Sequence, residues 1–297
     1  MDLDTWRARG TTEPIAGHPI FWMDSRAEVA ARSTSPRPAL LVIHGFPTSS
    51  WDFWKLWAGL TARFRVVAPD MLGFGFSAKS KGHHYSIFEQ ADLLEALLAR
   101  LGVEHFHVLA HDYGDTVAQE LLARDAERAT PRIASACLLN GGLFPETHHP
   151  LLIQKLLLGP LGPLVTRLTS KRALERSMRR IFGSATQPSA AELDTFWRLV
   201  THDDGLRNFH LLIRYMSERR EHRARWVGAL VNARCPLAVI DGAADPISGA
   251  HMVARYREVV GHGTVVELPG IGHYPQMEAP EAVLEHYLRF VDALPAG

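Results

Sequence analysis

Six short apolar runs limit what this chain can fold into: ALLVIHG (39–45), RVVAPD (65–70), HFHVLAHD (105–112), IASACLLNGG (133–142), PLAVIDG (236–242) and GTVVELPG (263–270). Each is nearly continuous in hydrophobicity rather than alternating, so both faces of the strand it forms must be buried. Helical patterns lie between them, notably SIFEQADLLEALLARLG (86–102) and TVAQELLARDAERA (116–129), and PEAVLEHYLRFVDAL (280–294) closes the chain. Strands alternating with helices predict an α/β fold with a mostly parallel sheet covered on both faces. Two more strands are expected at the sheet edge, near WRARG (6–10) and HPIFWMD (18–24), which brings the total to eight. STSPRP (33–38) reads as the loop that follows them.

The alternation fails between 143 and 230. This stretch is helical and rich in Leu and Arg, and the Pro-containing loop LFPETHHP (143–150) opens it. It reads as a helical cap inserted after the sixth strand, over the carboxyl edge of the sheet. The core domain is then 1–142 with 231–297, and the cap is 143–230. At 46% hydrophobic residues, a chain of 297 has enough apolar surface for one large domain with an insertion. The greasiest segment, LLIQKLLLGPLGPLVTRL (151–168), is interrupted by Gln154, Lys155, two prolines and two glycines. It reads as helix and loop covering something, not as a membrane span.

Lys+Arg and Asp+Glu are both 32, so net charge gives no pull toward nucleic acid or an anionic membrane. In the basic stretch RYMSERREHRARW (214–226), Glu218 and Glu221 interleave with the arginines, the pattern of a solvated helix face. Cys137 and Cys235 sit in or beside apolar runs, as buried free thiols of a reducing compartment do. The acidic, polar MDLDTWRARG is no secretory signal. A cytoplasmic chain, monomeric or homodimeric, is the expectation.

Ligands of open parallel sheets bind beyond the carboxyl ends of the strands, and odd polar residues gather there. In LAHDYGDTV (109–117) an apolar run stops at a polar cluster and a helix begins. A nucleophile elbow is such a strand-to-helix turn. It needs small residues two before and two after the nucleophile, because its backbone crowds itself. Those positions are Ala110 and Gly114, and Asp112 lies between them. No Gly-x-Ser-x-Gly occurs in the chain, so the candidate nucleophile is a carboxylate. A carboxylate is ionised at pH 7 and attacks saturated carbon without a base. The resulting ester then needs a water, a base and an oxyanion hole.

His273 in GIGHYPQMEAP (270–280) is the candidate base, and Asp245 in VIDGAADPIS (239–248) the acid that orients it. The order Asp112, Asp245, His273 is that of an α/β-hydrolase triad. Backbone N–H groups of Phe46, in HGFP (44–47), and Tyr113 would form the oxyanion hole. Asp112 alone could be a helix N-cap, Asp245 a turn former and Asp115 a first-turn acid. All these signals together, each at a strand end, favour catalysis. His111, Asp112 and Asp115 lack a second histidine at ligand spacing, so neither metal nor organic cofactor is expected.

The motifs HGFP, PDMLGFGFS (69–77), HDYG and GHYPQME resemble the epoxide-hydrolase and haloalkane-dehalogenase branch of the α/β-hydrolases. HDYGDTVAQELL (111–122), NGGLFPETHHPLLIQKLL (140–157) and RWVGAL (225–230) are similar to the mesoderm-specific transcript group. The resemblance implies an eight-stranded α/β-hydrolase fold with a helical cap. It also implies two cap tyrosines that protonate an epoxide oxygen. Tyr215, 30 residues ahead of Asp245, matches the second; no tyrosine matches the first, and His148, His149 and Trp197 are the candidate substitutes. Dehalogenases place Trp after the nucleophile and a second Trp or Asn donor for the halide, where this chain has Tyr113 and Phe46. Epoxide opening is therefore the leading expectation. Dehalogenation, ester or lactone hydrolysis, and ligand binding without turnover are the alternatives. The expected ligand is a small hydrophobic molecule, with His44, His111, Phe144, His148, Trp197, Leu151, Leu152 and Leu156 as pocket candidates.

Overall fold

The computed structural model describes residues 1–32 and 37–294. The chain opens with helix α1 (Leu3–Arg9), capped by the Asp2 carboxylate, which accepts from Thr5 N at 2.8 Å. This replaces the strand expected near WRARG. Leu3 and Trp6 fall one helical turn apart and are both buried, Trp6 edge-on to Trp57 at 5.0 Å. Strand β1 (Thr11–Ile15) begins just beyond and pairs antiparallel with β2 (His18–Asp24). Helix α2 (Arg26–Arg32) follows. Most of the STSPRP loop lies outside the described residues.

From here strands and helices alternate as expected. The order is β3 (Ala39–Ile43), α3 (Trp57–Arg63), β4 (Arg65–Pro69), α4 (Ile87–Arg100), β5 (Phe106–His111), α5 (Tyr113–Glu127) and β6 (Ile133–Leu139). After the insertion come β7 (Leu237–Gly242) and β8 (Thr264–Leu268). The eight strands lie in the order β1-β2-β4-β3-β5-β6-β7-β8. Pairings from β4 to β8 are parallel, and β2 joins β4 antiparallel. β5 and β7 are buried along their whole length. Both lie inside the sheet under helices, which explains their unbroken hydrophobicity.

The chain between β6 and β7 forms helices joined by loops and, among the described residues, no strand. It comprises α6 (Leu152–Leu158), α7 (Gly162–Leu168), α8 (Lys171–Ile181), α9 (Ala190–Thr201), α10 (Phe209–Leu212), α11 (Tyr215–Glu221) and α12 (Arg223–Val231). RYMSERREHRARW, expected as a solvated helix face, forms two helices that meet at His222. α13 (Ala250–Val259) separates β7 from β8, and α14 (Pro275–Glu278) and α15 (Pro280–Asp292) end the fold.

The turn from β5 into α5 sets the position of everything around it. Asp112 holds φ 49° and ψ −103°, a conformation L-residues avoid. The turn is possible because α5 starts against the end of β3. A Cβ on Gly114 would lie 2.4 Å from the Ile43 carbonyl oxygen and 2.7 Å from that of His44. These are backbone atoms held in the sheet, so they have little room to yield. Gly114→Ala is expected to destabilise the fold by about 1–3 kcal/mol. In a denaturant titration this would appear as a lower midpoint with an unchanged slope.

Candidate active site

Asp112, Asp245 and His273 come together from three strand ends. Asp112 follows β5, Asp245 lies in the loop after β7, and His273 lies between β8 and α14. His273 Nδ1 is 2.7 Å from Asp245 Oδ2, and His273 Nε2 is 4.0 Å from Asp112 Oδ1. Facing a carboxylate, Nδ1 carries a proton. All three residues are buried.

Asp245 is held as a carboxylate by its surroundings. It accepts from Ile247 N (2.8 Å), Ser248 N (3.1 Å), Ser248 Oγ (2.9 Å) and Asn140 Nδ2 (3.1 Å). Burial alone would raise its pKa, but the His273 charge and these donors hold it below the usual value. Burial likewise would lower His273. The Asp245 carboxylate, first by charge and then by hydrogen bond, and the Asp112 charge raise it to about 9.

Phe46 N donates to Asp112 Oδ2 at 3.0 Å. Tyr113 is the first residue of α5, so its N–H has no acceptor within the helix. One carboxylate oxygen therefore rests on the candidate oxyanion donor while the other faces the histidine. A cavity of about 230 Å³ reaches both Asp112 and His273. Its wall is mainly apolar, with Leu151, Ile153, Leu157, Leu174, Met178 and Phe209 among the lining side chains.

Several pocket candidates lie elsewhere. His44 is sealed in the core, with Nδ1 2.8 Å from the Gly45 carbonyl and Nε2 accepting from Met71 N at 3.0 Å. It ties the Phe46 loop to the end of β4. His111 places Nε2 2.7 Å from the His273 carbonyl and so braces the histidine loop. Burial keeps both rings neutral, with pKa values near 4 and 3. Phe144 is packed in the core, and Trp197 faces a separate depression beside Arg167 and Asp204. Leu152 and Leu156 point to solvent, because α6 turns Leu151, Ile153 and Leu157 to the cavity instead. His149 stacks on His251 at 4.3 Å, away from the cavity. His148 does not line the cavity; it lies by Gly142 and Arg219, with neither ring nitrogen hydrogen-bonded. Tyr215 is buried among Tyr113, Phe46 and Arg219, and its hydroxyl has no partner.

The sequence reading missed three residues. Arg219, placed on a solvated face, is 3% exposed. Its Nη2 donates to the Asp112 carbonyl at 3.0 Å and its Nε to Thr116 Oγ1 at 2.6 Å; Nη2 is also 3.8 Å from Asp112 Oδ1. Asn140 clamps β7, accepting from Gly242 N at 2.7 Å and donating to Asp245. Glu278 accepts from Gly272 N (2.9 Å), Tyr274 N (2.9 Å), Gly183 N (2.7 Å) and Thr186 Oγ1 (2.6 Å), fastening the histidine loop to the end of α8. Asp115 is in the first turn of α5, as expected, but it is fully buried with both oxygens unpartnered, and burial and the Asp112 charge raise its pKa well above the usual value.

The alpha/beta hydrolase fold family model matches residues 38–280. The human mesoderm-specific transcript homolog protein is 44% identical over 300 residues, covering 98% of this chain and 88% of the relative. Among solved structures, haloalkane dehalogenase DbeA from Bradyrhizobium elkani USDA94 superposes with TM-score 0.79 at 20% identity, covering 96% of this chain and 98% of that one. Epoxide hydrolase CorEH superposes with TM-score 0.78 at 17% identity, covering 96% and 99%. The two structures share the fold at low identity and leave the reaction open.

Two outcomes are expected from this geometry. His273 is raised from its ordinary 6.5, so the folded state holds the proton more tightly. The stabilisation is complete below pH 6.5 and is lost as pH rises through about 9. Unfolding free energy should fall by roughly 3 kcal/mol across that window, and His273→Gln should flatten the fall. Arg219→Ala leaves buried acceptors unpaired and should cost about 3 kcal/mol in denaturant unfolding. Arg219→Lys keeps the charge but loses the fork, and should lie between the two.

Proposed function

We propose, for a chain that belongs to the alpha/beta hydrolase fold family and within it to the mesoderm-specific transcript group, a hydrolase reaction with Asp112 as covalent nucleophile. The observation that carries this reading is the pose of the Asp112 carboxylate. Oδ2 rests on Phe46 N at 3.0 Å, and Oδ1, 4.0 Å from His273 Nε2, borders the cavity. The substrate class is an epoxide, as the resemblance to epoxide hydrolases implies, and its body is apolar because the wall next to Asp112 is apolar. Residues 143–230 serve as the cap that supplies most of that wall.

In the first step Asp112 Oδ1 attacks a ring carbon, and the carbon–oxygen bond of the ring breaks. Tyr215 is the assigned proton donor to the released oxygen; its hydroxyl is unpartnered, and burial keeps it protonated. Tyr215 lies behind the Phe46 ring rather than on the cavity wall, so this role requires the two rings to shift. The product of the step is an alkyl ester of Asp112.

Esterification removes the Asp112 charge, one of the influences that raise His273. The imidazolium then gives up its proton to replace the one Tyr215 donated, and neutral Nε2 takes a proton from water. The water oxygen adds to Asp112 Cγ. Phe46 and Tyr113 N–H groups hold the oxyanion on Oδ2; collapse breaks the Cγ–Oδ1 bond as His273 returns its proton to the departing oxygen, which releases the diol, and the regenerated Asp112 acid gives its proton back to Nε2. Direct attack of water on an ester fits less well, since a His273 raised to about 9 holds its proton at neutral pH and is no base until Asp112 is esterified. Halide release fits less well because the Tyr113 ring packs on Phe74 and Tyr215, and Phe46 has no side-chain donor.

His273→Gln should trap the ester when the protein is incubated with aryl and alkyl epoxides beside matched haloalkanes. Intact-mass spectrometry is expected to show a gain equal to the whole epoxide, mapped to Asp112 and absent in Asp112→Ala. A gain of the haloalkane less hydrogen halide, without epoxide adducts, would reassign the enzyme as a dehalogenase. No adduct from either would count against a covalent Asp112.

A further inference from the structure

Six large hydrophobic side chains stand exposed among the described residues, and five lie within 17 consecutive positions: Leu152, Leu156, Leu161, Leu164 and Leu168. Leu152 and Leu168 are each 72% exposed. Helix α6 is apolar on two sides. Ile153 and Leu157 line the cavity, whereas Leu152 and Leu156, one turn apart, face out. From the end of the preceding loop into α7, Leu161, Leu164 and Leu168 repeat at spacings of three and four, a stripe along one face. The cavity explains the inner leucines; no described residue covers the outer ones.

Charge indicates what covers them. The whole chain is balanced, but residues 151–181 carry seven Lys or Arg and the single acid Glu175. Among the described residues Lys155, Arg167, Arg172, Arg176 and Arg180 make no ion pair, and all five are exposed. Arg176 and Arg180 also stand at the cavity, between its apolar wall and solvent. Exposed leucines on α6 and α7, with unpaired cations on these helices and on α8, form the surface of a segment that lies in a membrane interface. A protein partner would have to match both the leucine stripe and the excess positive charge, while an anionic bilayer matches them without further shape. No helix among the described residues is long and apolar enough to cross a membrane, so the contact is peripheral.

We propose that the outer face of α6 and α7 docks on an anionic phospholipid surface, with the cavity between α6 and α8 opening toward the bilayer. An apolar ligand would then pass from lipid to the cavity without crossing bulk water. The overall charge balance, which gave no pull toward an anionic membrane, conceals this local excess. The inference does not depend on the chemistry of Asp112.

The test is co-sedimentation of the full chain with phosphatidylcholine vesicles, with and without phosphatidylglycerol. Leu152→Ser/Leu164→Ser/Leu168→Ser and Arg167→Glu/Arg172→Glu alter exposed positions outside the cavity wall, and their melting curves should match the parent. The parent is expected to pellet with the phosphatidylglycerol vesicles and to be released by high salt. Each variant should partition about tenfold less or weaker still. No binding to either vesicle, equal binding to both, or binding unchanged in both variants would overturn the proposal. So would light scattering that shows a dimer lost in the leucine variant with no vesicle binding, since the face would then join two copies of the chain.

Discussion

The strained turn at Asp112 is the constraint to which the rest of the site answers. A residue at φ 49° and ψ −103° costs on the order of 1–3 kcal/mol and persists only where its surroundings fix it. Here they do so on every side. Asp112 N donates to the Leu139 carbonyl at 3.1 Å, its own carbonyl accepts from Arg219, and its side chain accepts from Phe46 N. Gly114 lets α5 seat against β3, and the bare Cα of Gly45 lets His111 and the Asp112 Cβ pass close by. The carboxylate is thus aimed by backbone, and it needs no reorganisation to attack.

Burying so many ionisable groups in one place requires that their charges cancel. Asp112 and Asp245 are opposed by His273 and Arg219, two carboxylates against two cations. Two further acids stand close by without adding charge. Burial, then the Asp112 charge, raises Asp115 well above the usual value; burial, then Asp245, raises Asp241 to about 9. Asp241 therefore holds its proton at neutral pH, burial pushes Asp115 in the same direction, and neither has a hydrogen-bond partner. Converting Asp112 to an ester while Tyr215 gives up its proton moves the negative charge from the carboxylate to the phenolate. The His273 proton neutralises that phenolate, since a guanidinium does not release its proton in this range. In the proposed reaction the first step therefore creates the electrostatic need that the second step meets.

The parallel sheet and the convergence of Asp112, Asp245 and His273 were legible because each left a local mark. Continuous apolar runs marked the strands, small residues flanked the elbow, and the triad candidates sat at strand ends in hydrolase order. WRARG was misread because Asp2 caps a helix too short to show periodicity, with only Leu3 and Trp6 to define its buried side. Arg219 was missed for a different reason. It lies in a run of charged residues that, taken alone, describes a solvated face, and its partners Thr116 and Asp112 are more than a hundred positions away. Asn140 and Glu278 act by gathering distant backbone groups, and no residue spacing announces that. His44 and His111 show the converse. They looked like pocket residues because they flank the motifs, yet both act from behind the site on its loops.

The end of α8 and the histidine loop are one mechanical unit. His273 N donates to the Ile181 carbonyl at 2.7 Å, and a Cβ on Gly272 would lie 2.3 Å from that same oxygen. Glu278 joins the two sides a second time through Gly183 and Thr186. The end of α8, which contributes Met178 and Ile181 to the cavity wall, is therefore fixed to the base. The opposite wall, from Leu151 to Leu157, is attached to the core less directly, through α6 and the loop before it. If a ligand enters from the side of α6 and α7, the wall that gives way is the one not tied to His273. The cavity then opens without disturbing the distance between base and nucleophile.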